Sequence, residues 1–207
     1  MKSAIAAVAL LILSHHTFAA SNDFQATTNK ALAAGDPIAV VKALNKEIYR
    51  GNIIAAQQLG LMYRDGKVVS QDLAMARKWL KVAAKPDLIR TWYRRGIPEA
   101  QYSLALLLRD GLGGKADAAD AASWFEHAAE QGEAQAQLAL AQMQIKGMGI
   151  KQNPERAYLW SSIAARTLTE ADLKEAEQIR DQSRKQLATE QLKKADELAG
   201  TWTPKSN

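Results

Sequence analysis

From Ala55 to Tyr63 the small and apolar residues fall at Ala55, Leu59, Met62 and Tyr63. This three-and-four spacing makes one buried stripe along a helix. Further on, Ala76, Trp79 and Ala83 share a second helical face, with one large ring flanked by small residues. Between the two stripes, Gly66 stands where a left-handed residue closes a helix. Asp72 stands where a side-chain oxygen caps the start of the next. The pattern predicts two antiparallel helices joined by a turn.

The same unit returns twice. Shifting the chain by 45 and then by 36 residues aligns Gly51, Gly96 and Gly132; Ala55, Ala100 and Ala136; Leu59, Leu104 and Leu140; and Gly66, Gly111 and Gly147. The same shifts align Asp72, Asp117 and Asn153; Ala76, Ala121 and Ala157; Trp79, Trp124 and Trp160; and the paired alanines at Ala83, Ala128 and Ala164. Gly60, Ala105 and Ala141 follow the leucines and are small because the second helix crosses there. Pro154 takes the first position of its helix, where a missing N–H costs nothing. A two-helix unit cannot bury its own apolar face, so tandem copies must stack and end in capping segments.

The pattern A-x-x-x-L-G-x-x-Y-x-x-G, followed by D-x-x-x-A-x-x-W-x-x-x-A-A, resembles the SEL-one-like repeat family, relatives of the tetratricopeptide repeats. Unit one carries every position of it, whereas Leu108 and Gln144 replace the tyrosine in units two and three. Unit two is also expected to shorten its turn into Gly111-Leu112-Gly113-Gly114. The resemblance spans about Gly51 to Arg166 and implies an all-α fold, a right-handed α-solenoid of antiparallel helix pairs with helical caps. The organisation expected is a signal peptide over 1–19, an N-terminal helical cap over 20–50, and repeat one over 51–95 with an insert at 85–95. Repeats two and three follow over 96–131 and 132–167, then C-terminal capping helices over 168–200 and a tail over 201–207. In the caps, Gly35-Asp36-Pro37 breaks one helical pair. Thr169 with Asp172 forms a near capping box, Thr189 opens a further helix, and Gly200 stops it.

Composition adds a compartment. Met1 and Lys2 precede an unbroken apolar run from Ile5 to Leu13, and Thr17-Phe18-Ala19 offers a small-x-small cleavage site. This reads as a secretory signal cleaved near Ala19 or Ala20, which places the mature chain in the periplasm or outside the cell. The run is about half of the ~20 residues that cross a bilayer, so a membrane-spanning protein is not expected. With 0 cysteines there is no disulfide framework, thiolate metal site or cysteine nucleophile. The net charge of +5 favours an acidic partner or surface. Nucleic acid is not expected outside the cytoplasm.

Candidate chemistry is sparse. His15 and His16 leave with the signal segment, and the remaining His127 reads as a solvated residue on the back of a helix. One histidine and scattered carboxylates give no metal-ligand spacing, and no cofactor is expected. The glycine turns follow no strand and lack the lysine and hydroxyl that cradle a nucleotide. Ser103, Ser123, Ser161 and Ser162 lie inside helices without an elbow motif. Some cysteine-rich exported members of the family resemble penicillin-binding or weak lactamase proteins, an activity not carried over to a chain without cysteine.

The resemblance instead implies a monomeric, non-enzymatic scaffold or adaptor of the cell envelope, holding a protein or peptide in a concave groove lined by first helices. A cell-wall hydrolase or a binder of anionic polysaccharide is the alternative. Transferred through the leucine column, the groove residues are Gln57, Arg64 and Asp65 in unit one, Tyr102, Arg109 and Asp110 in unit two, and Gln135, Gln142 and Lys146 in unit three. Arg64, Arg109 and Lys146 would form a basic row that grips carboxylates. A second candidate surface lies in the insert, where Trp92, Tyr93, Arg94 and Arg95 combine residue types enriched at interfaces.

Overall fold

A computed structural model describes residues 22–86 and 94–206. Among the described residues the secondary structure is ten α-helices and no strand. In chain order these are α1 (Asn22–Ala34), α2 (Pro37–Tyr49), α3 (Ile53–Asp65), α4 (Leu73–Ala84), α5 (Pro98–Arg109), α6 (Ala118–Glu130), α7 (Ala134–Lys146), α8 (Pro154–Ala164), α9 (Glu170–Arg184) and α10 (Thr189–Thr201). The chain divides into two compact units between Ala83 and Ala84.

In the first unit Leu32, Val40, Leu44, Ala55, Leu59 and Met62 form one buried cluster, with Trp79 packed at its margin. Asp36 caps α2 by accepting from the Ala39 N–H at 3.0 Å, and Asn52 caps α3 by accepting from Ile54 and Ala55 at 3.1 and 3.3 Å. Gly60 marks the helix crossing, since a Cβ there would sit 2.8 Å from Leu80 Cγ. The second unit is built around Phe125, Leu104, Leu140, Met143 and Tyr158, each under 2% exposed. Burying one such side chain stabilises a fold by about 1.5–3 kcal/mol.

The turns within the three repeats close the same way. Asp72, Asp117 and Asn153 accept from the N–H three residues on, at 2.9, 2.9 and 3.0 Å. Their own N–H groups donate back to the carbonyls of Tyr63, Leu108 and Gln144, at 3.0, 2.9 and 2.9 Å. Because this second bond is made by backbone, the side chain at the tyrosine column is free to vary. The turn of unit two is not shortened: Gly66 to Asp72, Gly111 to Asp117 and Gly147 to Asn153 are equal spans. The extra glycine at 113 supplies another left-handed residue, at φ 76°.

Two buried glutamines, absent from the sequence expectations, make equivalent bonds in the second unit. Gln101 Nε2 donates to the Ala84 carbonyl at 2.9 Å, and Gln137 Nε2 donates to the Ala129 carbonyl at 3.1 Å. Donor and acceptor positions both coincide under the repeat shifts, so one bond is made twice. Each glutamine satisfies a carbonyl that a helix end leaves open.

The C-terminal caps differ from expectation in two places. Thr169 makes no side-chain cap bond, and the following Glu170 takes φ 54° instead. Gly200 lies inside α10, which continues to Thr201, and the helix starts where Gln191 Oε1 accepts from the Ala188 N–H at 3.0 Å. Residues beyond α10 are docked against the repeats. The Trp202 ring meets Trp160 edge-on at 6.0 Å, and Lys205 reaches Glu130 through both its N–H (2.8 Å) and its Nζ (2.6 Å).

Candidate functional site

The first helices of repeats one and two run out into an arginine and an aspartate, Arg64–Asp65 and Arg109–Asp110. In the first unit Arg64 Nε donates to Asp65 Oδ1 at 2.7 Å, with Lys67 Nζ 3.9 Å from the other carboxylate oxygen. Gly66 then turns the chain at φ 66°, and Gln71 Nε2 donates to the Arg64 carbonyl at 2.8 Å. Gln57 is half-buried on the same helix.

In the second unit the motif is tighter. Arg109 Nε and Nη2 donate to the two oxygens of Asp110 at 2.7 and 3.0 Å, a two-bonded fork. The Asp110 carboxylate holds the Arg109 guanidinium above its ordinary range, and the same bond holds Asp110 below the usual carboxylate range. Arg109 lies 6.0 Å from the centre of the Phe125 ring, and Tyr102 stacks obliquely on that ring at 5.8 Å. A buried phenyl thus carries both candidate side chains of this helix, one by ring packing and one by cation–π attraction.

The remaining candidates fall elsewhere. Gln135 Nε2 donates to Asp172 Oδ2 at 2.8 Å, and Gln142 Nε2 donates to Glu175 Oε1 at 2.7 Å. Both glutamines therefore fasten α7 to α9, while Lys146 stands exposed at the end of α7. Trp92 and Tyr93 lie outside the described residues. Arg94 and Arg95 are exposed in a turn, where the Arg95 carbonyl accepts from Gln101 Nε2 at 2.5 Å and from Gln131 Nε2 at 3.4 Å. Arg64 and Arg109 are thus each paired with the neighbouring aspartate, while Lys146 is exposed.

His127 is exposed and meets the edge of Trp124 at 5.7 Å. Among the described residues no group of three or more histidines and carboxylates could hold a metal ion, and no helix is long and apolar enough to cross a membrane.

One carboxyl is perturbed. Glu133, half-buried at the start of α7, is held above the usual carboxylate range by burial and then by the charge of Glu99, against the opposing pull of the Gln135 N–H. A carboxyl raised in the fold binds more protons there than in the unfolded chain. Its contribution is therefore present below the ordinary carboxylate pKa and is lost as pH rises through the raised value. Glu133→Gln keeps an acceptor for the Gln135 N–H but removes the charge. The variant should match the parent in acid and become the more stable of the two at neutral pH, measured by urea unfolding at a series of pH values. A parent curve that rises in parallel with the variant through that range would contradict this assignment.

The Sel1 repeat profile matches residues 53–85, 98–133 and 133–166. The chain belongs to the Sel1 repeat family. No curated protein matches it significantly. Among solved structures it is similar to c5321, a protective antigen present in uropathogenic Escherichia coli strains that displays an SLR fold. The identity is 22% and the TM-score 0.62, over 96% of this chain and 44% of that one. It is also similar to a Sel1 repeat protein from Oxalobacter formigenes, with 20% identity and a TM-score of 0.59, over 93% of this chain and 76% of that one. The chain thus spans less than half the length of the first of these, and the likeness concerns the fold alone. Within the Sel1 repeats, the leucine column is buried, a left-handed glycine follows the first helix, the aspartate or asparagine caps the second, and of the three tryptophans Trp160 is buried while Trp79 and Trp124 are half-buried.

Proposed function

We propose that this Sel1 repeat chain is a non-enzymatic scaffold of the cell envelope, exported by its first residues and holding a protein or peptide partner as a monomer. Sel1 repeats are in general protein-interaction scaffolds, and this generality supports the reading. The observation that carries the reading is the arginine–aspartate pair presented at the same register of two successive repeats, Arg64–Asp65 and Arg109–Asp110. Such a pair offers guanidinium N–H donors and carboxylate acceptors side by side, which suits the alternating polar groups of an extended peptide. Its net charge is near zero, so recognition here rests on directed hydrogen bonds.

The test is crosslinking of the full chain in its own envelope, followed by mass spectrometry. A protein partner should be recovered in stoichiometric amount with the parent and fall at least tenfold with the double variant Arg64→Glu and Arg109→Glu. Recovery of glycan without protein, or equal recovery with the double variant, would overturn it.

A further inference from the structure

Helix α2 buries one side and leaves the opposite one bare. Val40, Leu44 and Glu47 face the core, whereas Ile38 is 80% exposed and Tyr49 92% exposed. With Val41 and with Val69 from the turn after α3, these residues line an open, largely apolar groove of about 820 Å³. A helix of this length spans about 20 Å, enough to seat three to four turns of another helix. Two large apolar side chains left so bare on one helix, over a groove of this size, mark a binding surface rather than ordinary surface scatter.

The charge around the groove selects the occupant. At 100° per residue, Lys42 and Lys46 run along one edge of the Ile38–Tyr49 stripe, with Val41 on the other, and both lysines line the groove. Neither lysine is paired with a carboxylate among the described residues, and the carboxylates nearest in sequence are engaged. Asp36 caps α2, and the buried Glu47 accepts from Arg50 at 2.6 Å. We propose that the outer face of α2 is a second docking surface, taking an amphipathic helix of a partner protein whose apolar face covers Ile38, Val41, Tyr49 and Val69 and whose acidic edge runs beside Lys42 and Lys46. The inference rests on the scaffold reading but uses a surface separate from the arginine–aspartate pairs.

The test uses two labelled 18-residue helical peptides with the same leucine face, one edged with glutamate and the other with lysine, titrated against the full chain by fluorescence anisotropy. The glutamate peptide should bind at least tenfold tighter at low salt, with the gap narrowing as salt is raised. The Lys42→Glu and Lys46→Glu double variant should reverse the order. Ile38→Asp with Tyr49→Asp should abolish binding of both peptides while leaving the thermal melt unchanged, because neither side chain is buried. Equal affinity for the two peptides, binding of neither, or binding that survives Ile38→Asp with Tyr49→Asp would overturn the proposal. So would sedimentation showing a dimer of the parent that Tyr49→Asp dissolves, since the face would then belong to a second copy. The dimer would also remove the monomer from the scaffold reading, whereas the other outcomes leave that reading and its crosslinking result with Arg64→Glu and Arg109→Glu standing, so the two readings fail separately.

Discussion

Gly96→Ala is expected to destabilise the second unit by about 3 kcal/mol or more, the sum of a left-handed alanine and a lost buried hydrogen bond. Gly96 holds φ 78°, and a Cβ there would lie 2.1 Å from the Ala84 carbonyl oxygen, 2.7 Å from its carbon and 2.9 Å from Gln101 Nε2. The first two contacts are with backbone, so rotamer adjustment cannot relieve them. The third is with the donor that serves Ala84. The new methyl group therefore pushes apart the two partners of the Gln101–Ala84 bond. Gly35→Ala is the control, since Gly35 has φ 68° but a Cβ there would meet nothing within 4 Å. It should lose only the conformational part, about 1–2 kcal/mol. Urea unfolding followed by tryptophan fluorescence separates the two outcomes. Equal losses at both positions would show that the close approach to Ala84 is relaxed in solution.

The contrast between these glycines shows which parts of the molecule its sequence discloses. Helix pairs, turns and caps follow from local chemistry: the stripe at Ala55, Leu59 and Met62, the left-handed glycines, and the aspartates one residue before their helices. These signals operate within a few residues, and the repeat shifts multiply them threefold. What escaped notice was polar and non-local. No local pattern singles out Gln101 and Gln137, yet they are 1% and 2% exposed because their amides donate to the carbonyls of Ala84 and Ala129. Gln135 and Gln142 find their carboxylates on α9, 37 and 33 residues away, a distance at which sequence patterning is silent.

The candidate site was legible in part for the same reason. The recurrence of Arg64 and Arg109 is a column of the repeat and could be read directly. Their pairing with the adjacent aspartates depends on side-chain rotamers, which turn an expected row of cations into two-signed pairs. The apolar face of α2 was present in the sequence as surplus. Pro37–Tyr49 carries more apolar positions than one stripe needs, but only the packing of α2 decides which of them stay outside.

Phe125→Ala is expected to cost the second unit about 3–5 kcal/mol, the usual price of emptying an aromatic site in a packed core. Phe125 is 0% exposed, and it sits beneath the Tyr102 ring and the Arg109 guanidinium. The loss should appear in urea unfolding as a lower midpoint with an unchanged slope. Phe125→Leu refills most of the volume without an aromatic face, and should cost no more than about 1.5 kcal/mol. Its value lies in what it does to the surface. Leucine removes the π attraction on Arg109, worth about 0.5–1 kcal/mol at a partly exposed position, while the fork to Asp110 remains to orient the guanidinium. Partner recovery by crosslinking should therefore fall less than fivefold with Phe125→Leu, against at least tenfold for the Arg64→Glu and Arg109→Glu pair. A larger fall with Phe125→Leu would mean that the phenyl platform, rather than the aspartate, sets the direction in which Arg109 points.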